Sequence, residues 1–94
     1  MIVNSTHPLF ALGRLMTTPA ALDVITQSDI VRAIGRHAIG EWGDVCPEDK
    51  QANDDALKTG GRLFSVYNAV NGTKFWVITE ADRSTTTVLL PGDY

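Results

Sequence analysis

The chain contains 94 residues, 44% of them hydrophobic, and carries a formal net charge of −3. This length and composition are typical of one soluble domain, residues 1–94, that folds without disulfide or metal cross-links. The single cysteine, Cys46, excludes an internal disulfide and a multi-cysteine zinc site, and it fits a reducing compartment. No run approaches the roughly 20 apolar residues of a membrane helix, and no signal peptide is recognisable, so we expect a cytoplasmic protein.

The negative charge is concentrated in residues 41–55. This segment carries −5, because six carboxylates stand against Lys50 alone, whereas the rest of the chain carries +2. The six are Glu41, Asp44, Glu48, Asp49, Asp54 and Asp55. A general nucleic-acid-binding protein needs a basic face for the phosphates, so this class is disfavoured, while a basic protein partner fits. The alternative is that these carboxylates form the solvated face of a helix.

The N-terminal part predicts an arm, a short strand and two helices. Residues 1–7 are expected to form a loose arm, and residues 12–17 a short strand that could join one edge of a later sheet. Thr18 and Pro19 suit the cap and the first position of a helix, so a helix begins there. Ser28 is the expected cap of a second helix, whose apolar residues recur with helical spacing.

A third helix is predicted within the acidic segment, from Pro47 to Thr59. Proline suits the first helical position, the two carboxylates after it complement the helix dipole, and Gly60 suits the end. In the preceding connection, Trp42 is the expected anchor into the core, because an indole buries a large apolar area. Residues 18–59 therefore form a helical half.

The remaining residues, 62–91, predict a three-stranded antiparallel meander. Apolar and polar residues alternate over 62–69, 74–80 and 85–90. Asn71-Gly72 is a strong hairpin signal between the first two strands, because both positions tolerate positive φ. The fold class is therefore α+β: a three-stranded antiparallel β-meander packed against about three short helices, with an extra N-terminal strand as an open alternative.

One set of segments has a recognisable pattern: 41–45, Glu48-Asp49, Asn53-Asp54, 61–63 and, above all, 76–91, which reads WVITEADRSTTTVLLP. In these segments the chain resembles a family of small bacterial proteins that recur on plasmids and integrated mobile elements. The resemblance implies no catalytic residues and no cofactor. It implies a setting, because genes on mobile elements often encode inhibitors of host defence, such as anti-CRISPR or anti-restriction proteins.

Several other residues could belong to a functional site, but each also has a purely structural explanation. Asp82 and Arg83 could form a charged site at the last hairpin, but turn residues that bond to nearby backbone explain them as well. His37 lies four residues before Glu41, yet no further metal ligand is nominated, so a surface histidine is expected. Cys46 precedes a helix, where its thiol pKa could fall, but a half-buried structural thiol is favoured. Tyr67 and Trp76 would mark a binding face if both were exposed, and core if buried.

We therefore predict a non-enzymatic interaction protein that inhibits a host nucleic-acid-handling defence complex, in an anti-CRISPR-like manner, through an acidic surface. It is expected to be a monomer or homodimer, with no metal, no direct nucleic-acid contact and no membrane contact. The partner-binding residues are expected to be Glu41, Asp44, Glu48, Asp49, Asp54, Asp55, Asp82 and Arg83. One alternative is a small hydrolase or nuclease-like enzyme that uses Asp44, Glu48, Asp82 and Arg83. Another is a structural homodimer built through an exposed sheet edge.

Overall fold

The computed structural model describes residues 7–94, so the predicted arm lies outside the described residues except for His7. The elements are β1 (Arg14–Thr17), α1 (Pro19–Val24), α2 (Gln27–Ala38), α3 (Pro47–Thr59), β2 (Leu63–Asn68), β3 (Lys74–Thr79), β4 (Thr85–Leu89) and a 3-10 turn (Pro91–Asp93). The strands form one sheet in the order β1-β4-β3-β2. The predicted α+β class is confirmed.

The sheet is mixed and has four strands, one more than the predicted meander. Strands β2, β3 and β4 form the antiparallel meander, and β1 adds to β4 in parallel. Arg14 N–H donates to the Ser84 carbonyl at 2.9 Å, and Thr18 N–H donates to the Val88 carbonyl at 3.0 Å. The parallel pairing is possible because the helices and β2–β3 supply the long connection that parallel strands require.

The helix starts agree with the sequence except at α2. The Thr18 hydroxyl caps α1, and Cys46 immediately precedes α3. The cap of α2 is Thr26, not Ser28: its hydroxyl accepts from Asp29 N–H at 3.1 Å. The predicted cap was wrong because α1 already ends at Val24, so the corner between the two helices lies at Ile25-Thr26 and not at Ser28. None of the helices within residues 7–94 is long and apolar enough to cross a membrane.

Two apolar clusters hold the helices to the sheet. In the larger one, α1 and α2 pack on one sheet face, with Ile30 and Ala33 against Phe75, Val77 and Val88. The smaller one joins α3 to β2 through Trp42, Ala56 and Leu63. Trp42 is buried, as predicted from its indole.

The outer edge of β2 is covered by the chain that leads into α3 and by α3 itself. Val66 N–H donates to the Trp42 carbonyl at 3.0 Å, and Asp44 N–H donates to the Val66 carbonyl at 2.8 Å. Two residues earlier in β2, Phe64 is bound by α3: the Asn53 side chain accepts from Phe64 N–H at 3.0 Å and donates to the Phe64 carbonyl at 2.7 Å. The outward backbone groups of Phe64 and Val66, which an edge strand would expose, are therefore satisfied within the chain.

The β2–β3 connection is a hairpin, as Asn71-Gly72 predicts. Gly72 takes a positive φ of 89°, but Asn71 does not. Gly72 N–H donates to the Ala69 carbonyl at 2.9 Å, so Val70 and Asn71 are the central residues of the turn and Gly72 follows them. The Asn71 side chain instead donates to the Val24 carbonyl at 2.9 Å, which fixes the turn to the end of α1.

Candidate functional site

Three of the six carboxylates in residues 41–55 accept hydrogen bonds from residues outside α3. Asp54 accepts from Lys50 Nζ at 2.9 Å and from Trp42 Nε1 at 3.2 Å, and these hydrogen bonds hold the pKa of its carboxyl below the usual value. Glu41 pairs with Arg36 Nε at 3.3 Å. Asp44 accepts from the Asn68 side chain at 2.7 Å. The acidic segment is therefore not one continuous free surface.

The other three carboxylates form what we call the α3 acidic stripe: Glu48, Asp49 and Asp55. All three are exposed. Glu48 and Asp55 lie seven residues apart, close to two helical turns, so they project from the same side of α3. The described partner of Asp55 is the neutral Gln51 amide at 3.0 Å, so its charge is not neutralised. The α3 acidic stripe therefore contains three of the six carboxylates that the sequence places in residues 41–55.

Asp49 also lines a pocket of about 300 Å³ between α3 and the sheet, which we call the Trp76 pocket. Its lining residues are Asp49, Ala52, Asn53, Arg62, Phe64, Trp76, Ile78 and Tyr94. The partly exposed Trp76 ring meets the Phe64 ring edge-on at 5.1 Å and the Tyr94 ring at 5.8 Å. The pocket thus places aromatic surface next to a carboxylate.

Arg62 is the cation of this pocket, and it is held by Tyr94. Its guanidinium lies 5.4 Å from the Tyr94 ring centre and donates to the Tyr94 hydroxyl. Tyr67, in contrast, is core: burial raises its pKa to about 12, and its hydroxyl donates to the Glu41 carbonyl at 2.5 Å. Of the two aromatic residues considered as a binding face, only Trp76 remains a candidate.

Asp82 and Arg83 have the turn chemistry that the sequence offered as one explanation. Asp82 accepts from Ser84 N–H at 2.9 Å, and hydrogen bonds from the Ser84 hydroxyl and N–H lower its pKa. Arg83 has a left-handed φ of 61°. Its guanidinium donates to the carbonyls of Gly61 at 2.6 Å and Ala56 at 3.1 Å, so it ties the turn to the end of α3.

Arg83→Ala is expected to lower the free energy of unfolding by about 2–4 kcal/mol, because it removes the part-buried hydrogen bonds to the Ala56 and Gly61 carbonyls and leaves the left-handed φ. Arg83→Gly should recover about 1 kcal/mol of that loss, since glycine tolerates this φ. Urea unfolding of the two variants separates the side chain from the backbone. A stability equal to that of the native chain in both would show that the guanidinium contributes nothing.

The four residues of the enzyme hypothesis do not converge. Asp44 is bound at Asn68, the last residue of β2, whereas Arg83 is bound at Gly61, before its first. A six-residue strand separates these points by about 20 Å. Glu48 begins α3 while Arg83 contacts its last turns, about 12 Å away along the axis. No group of three or more metal-ligating side chains is found within residues 7–94.

His37 contradicts the expectation of a surface histidine, since its side chain is 0% exposed. The Thr86 hydroxyl donates to the Leu12 carbonyl at 2.7 Å and therefore accepts from Thr79 at 2.7 Å. Thr79 then accepts from His37 Nε2–H at 2.9 Å, which leaves Nδ1 to accept from the Ser65 hydroxyl at 2.6 Å. Every polar atom of this His37 relay is satisfied with a neutral imidazole.

The position of His37 had a signal in the sequence that was missed. It lies seven residues after Ile30 and four after Ala33, on the buried side of α2. Cys46 also differs from expectation, because it is exposed and not half-buried. It makes no side-chain cap for α3.

No protein-family model, curated protein or solved structure matches this chain. The resemblance to mobile-element proteins therefore stays a prediction. Function is inferred from the geometry of the chain itself, in which the acidic stripe and the Trp76 pocket adjoin at Asp49.

Proposed function

We propose that this protein acts without catalysis, by binding a basic surface of a protein partner at the Trp76 pocket and the α3 acidic stripe. The observation that carries this proposal is that Asp49 and the partly exposed Trp76 line the same open pocket. A lysine or arginine side chain gains from an aromatic ring face and from a carboxylate, so this combination suits a cation supplied by the partner.

The charges around the pocket favour a partner whose basic surface faces Asp49. Arg62 is held against Tyr94, so the negative potential lies on the side of Asp49. Glu48 and Asp55 extend this potential along α3, outside the pocket. One carboxylate in an aromatic pocket, with two more beside it on the same helix, complements a basic groove that otherwise holds phosphates.

The specific form of the proposal is an inhibitor that occupies the nucleic-acid channel of a host defence complex, in an anti-CRISPR-like manner. The acidic stripe supports it, together with the resemblance to mobile-element proteins. Glu48, Asp49 and Asp55 are proposed as the principal contacts. Glu41, Asp44 and Asp54 accept hydrogen bonds from residues outside α3, and Asp82 and Arg83 hold the last hairpin, so we assign these five a smaller share. Asp55 accepts a hydrogen bond from Gln51 within α3.

The double reversal Glu48→Lys with Asp55→Lys is expected to weaken partner binding by about 10-fold or more, because it juxtaposes like charges. The matched control is Asp23→Lys with Glu80→Lys, two exposed acids on other elements. Both variants change the net charge from −3 to +1. Asp54 is unsuitable for reversal, because the change would also remove the acceptor of Trp42 Nε1.

The measurement is co-purification with defence complexes from bacterial lysates at low and high salt, followed by displacement of nucleic acid from the captured complex. We expect a stoichiometric, salt-sensitive partner that the stripe variant loses and the control variant retains. Circular dichroism checks that α3 survives, since a lysine in its first turn opposes the helix dipole by about 0.5–1 kcal/mol. Equal binding by the two variants would refute the electrostatic contact.

A further inference from the structure

Among the described residues, 7–94, strand β1 is an open edge of the sheet, in contrast to the edge at β2, which the chain into α3 covers. Within residues 7–94 its neighbour in the sheet is β4 alone. Arg14 and Thr18 donate their N–H groups towards β4. Backbone groups of successive residues in a strand point to alternate sides, so those of Met16 also point towards β4. The backbone N–H and C=O groups of Leu15 and Thr17 therefore point away from the sheet.

An apolar groove of about 480 Å³ runs beside this edge, between β1 and the two helices α1 and α2. Leu15, Leu22 and Val31 line it and are 54%, 61% and 63% exposed. Every side chain that lines the groove is uncharged. Natural sheets usually protect an open edge with an inward charge, a proline or a bulge, and the groove side of β1 has none of these.

We propose that a second copy of this chain covers the groove, by antiparallel pairing of the two β1 strands about a two-fold axis. Leu15 would pair with the partner's Thr17, and Thr17 with the partner's Leu15, so all outward backbone groups of these residues are satisfied. Met16 would face the partner's Met16 at the axis. The two four-stranded sheets then form one continuous sheet of eight strands.

The surface beside this edge is uncharged and mostly apolar, and a second copy presents the same surface, which favours it over an unrelated partner. One antiparallel register pairs Leu15 and Thr17 of each copy with Thr17 and Leu15 of the other. In that register Arg14 faces the partner's Thr18, and no like charges are opposed. Met16, 47% exposed, adds apolar contact on the other face. Because the strand is short, we expect an interface below about 1,200 Å², typical of weak association.

Cysteine cross-linking tests this register in a Cys46→Ser background, which removes the exposed native thiol. Met16→Cys should form a disulfide-linked dimer, because directly opposed residues of a non-hydrogen-bonded pair have Cα atoms about 4.5 Å apart. Leu15→Cys alone should cross-link poorly, but should cross-link when mixed with Thr17→Cys. Val70→Cys, 82% exposed on the β2–β3 turn, is the control for random collision.

Sedimentation of the native chain from about 1 μM to 1 mM tests the dimer without any new thiol. We expect a concentration-dependent dimer that Met16→Lys weakens by about 10-fold or more, since two ammonium groups would meet at the axis. A native chain that is monomeric throughout would overturn the proposal. Self-linking of Leu15→Cys as fast as that of Met16→Cys would overturn the register. Neither result affects the acidic stripe, which lies on α3.

Discussion

Gly43→Ala is expected to lower the free energy of unfolding by about 3–5 kcal/mol, a loss large enough to unfold much of a small domain. Gly43 has a left-handed φ of 76°, and a Cβ there would lie 1.9 Å from the Val66 carbonyl oxygen. The residue cannot move away without breaking the hydrogen bonds that Trp42 and Asp44 make with Val66. Urea unfolding followed by tryptophan fluorescence measures the loss, since Trp42 is buried beside this segment.

Gly72→Ala is the matched control for this substitution. Gly72 also has a left-handed φ, 89°, but no atom lies within 4 Å of the added Cβ. The control should cost about 1–2 kcal/mol, which is the cost of the backbone conformation alone. The difference between the two variants isolates the close approach of the chain to β2. Equal losses would mean that this approach does not constrain Gly43.

The second large effect is expected from pH. Burial, and then the charge of Arg83, lower the pKa of His37 from 6.5 to about 4. Above pH 6.5 the imidazole is neutral in both the folded and the unfolded chain, and stability from this group is complete. As the pH falls from 6.5 towards 4, the unfolded chain binds the proton first, so about 3 kcal/mol of stability is lost. Below pH 4 the group adds no further loss.

The hydrogen bonds around His37 also suit the neutral imidazole and not the protonated one. A protonated imidazole carries a proton on Nδ1, which faces the Ser65 oxygen at 2.6 Å and would have to reverse that hydrogen bond. The other ring nitrogen already donates to Thr79. A reversed bond would leave the Ser65 hydroxyl proton in need of another acceptor, and Arg83 adds unfavourable charge.

Urea unfolding at a series of pH values between about 7 and 4 tests this, with His37→Gln as the variant that cannot titrate. The variant should be less stable at neutral pH, because the relay is broken, but its stability should change less across this range. His7→Gln, a change at an exposed histidine, should leave the native pH profile intact. If His37→Gln and the native chain show parallel profiles, His37 is not the group responsible.

The secondary-structure elements that depend on neighbouring residues could be predicted from the sequence. Helix α3 runs from Pro47 to Thr59 as predicted, because a proline at its first position and a glycine at its end act on adjacent backbone. The meander was predicted correctly for the same reason, since alternation of side chains requires only neighbouring residues. The carboxylates of α3 were also visible as a group, although not which of them are free.

Contacts between residues that are distant in the chain could not be predicted from the sequence and are seen first in the structure. His37 is buried because hydroxyls from Ser65 and Thr79, 28 and 42 residues away, satisfy its ring. Asp54 differs from Asp55 because Trp42 lies against it, and the sequence offers no pattern that joins the two. The parallel pairing of β1 depends on the path of all the intervening chain. Local free-energy preferences specify elements, whereas the burial of a polar group depends on partners that only the complete fold supplies.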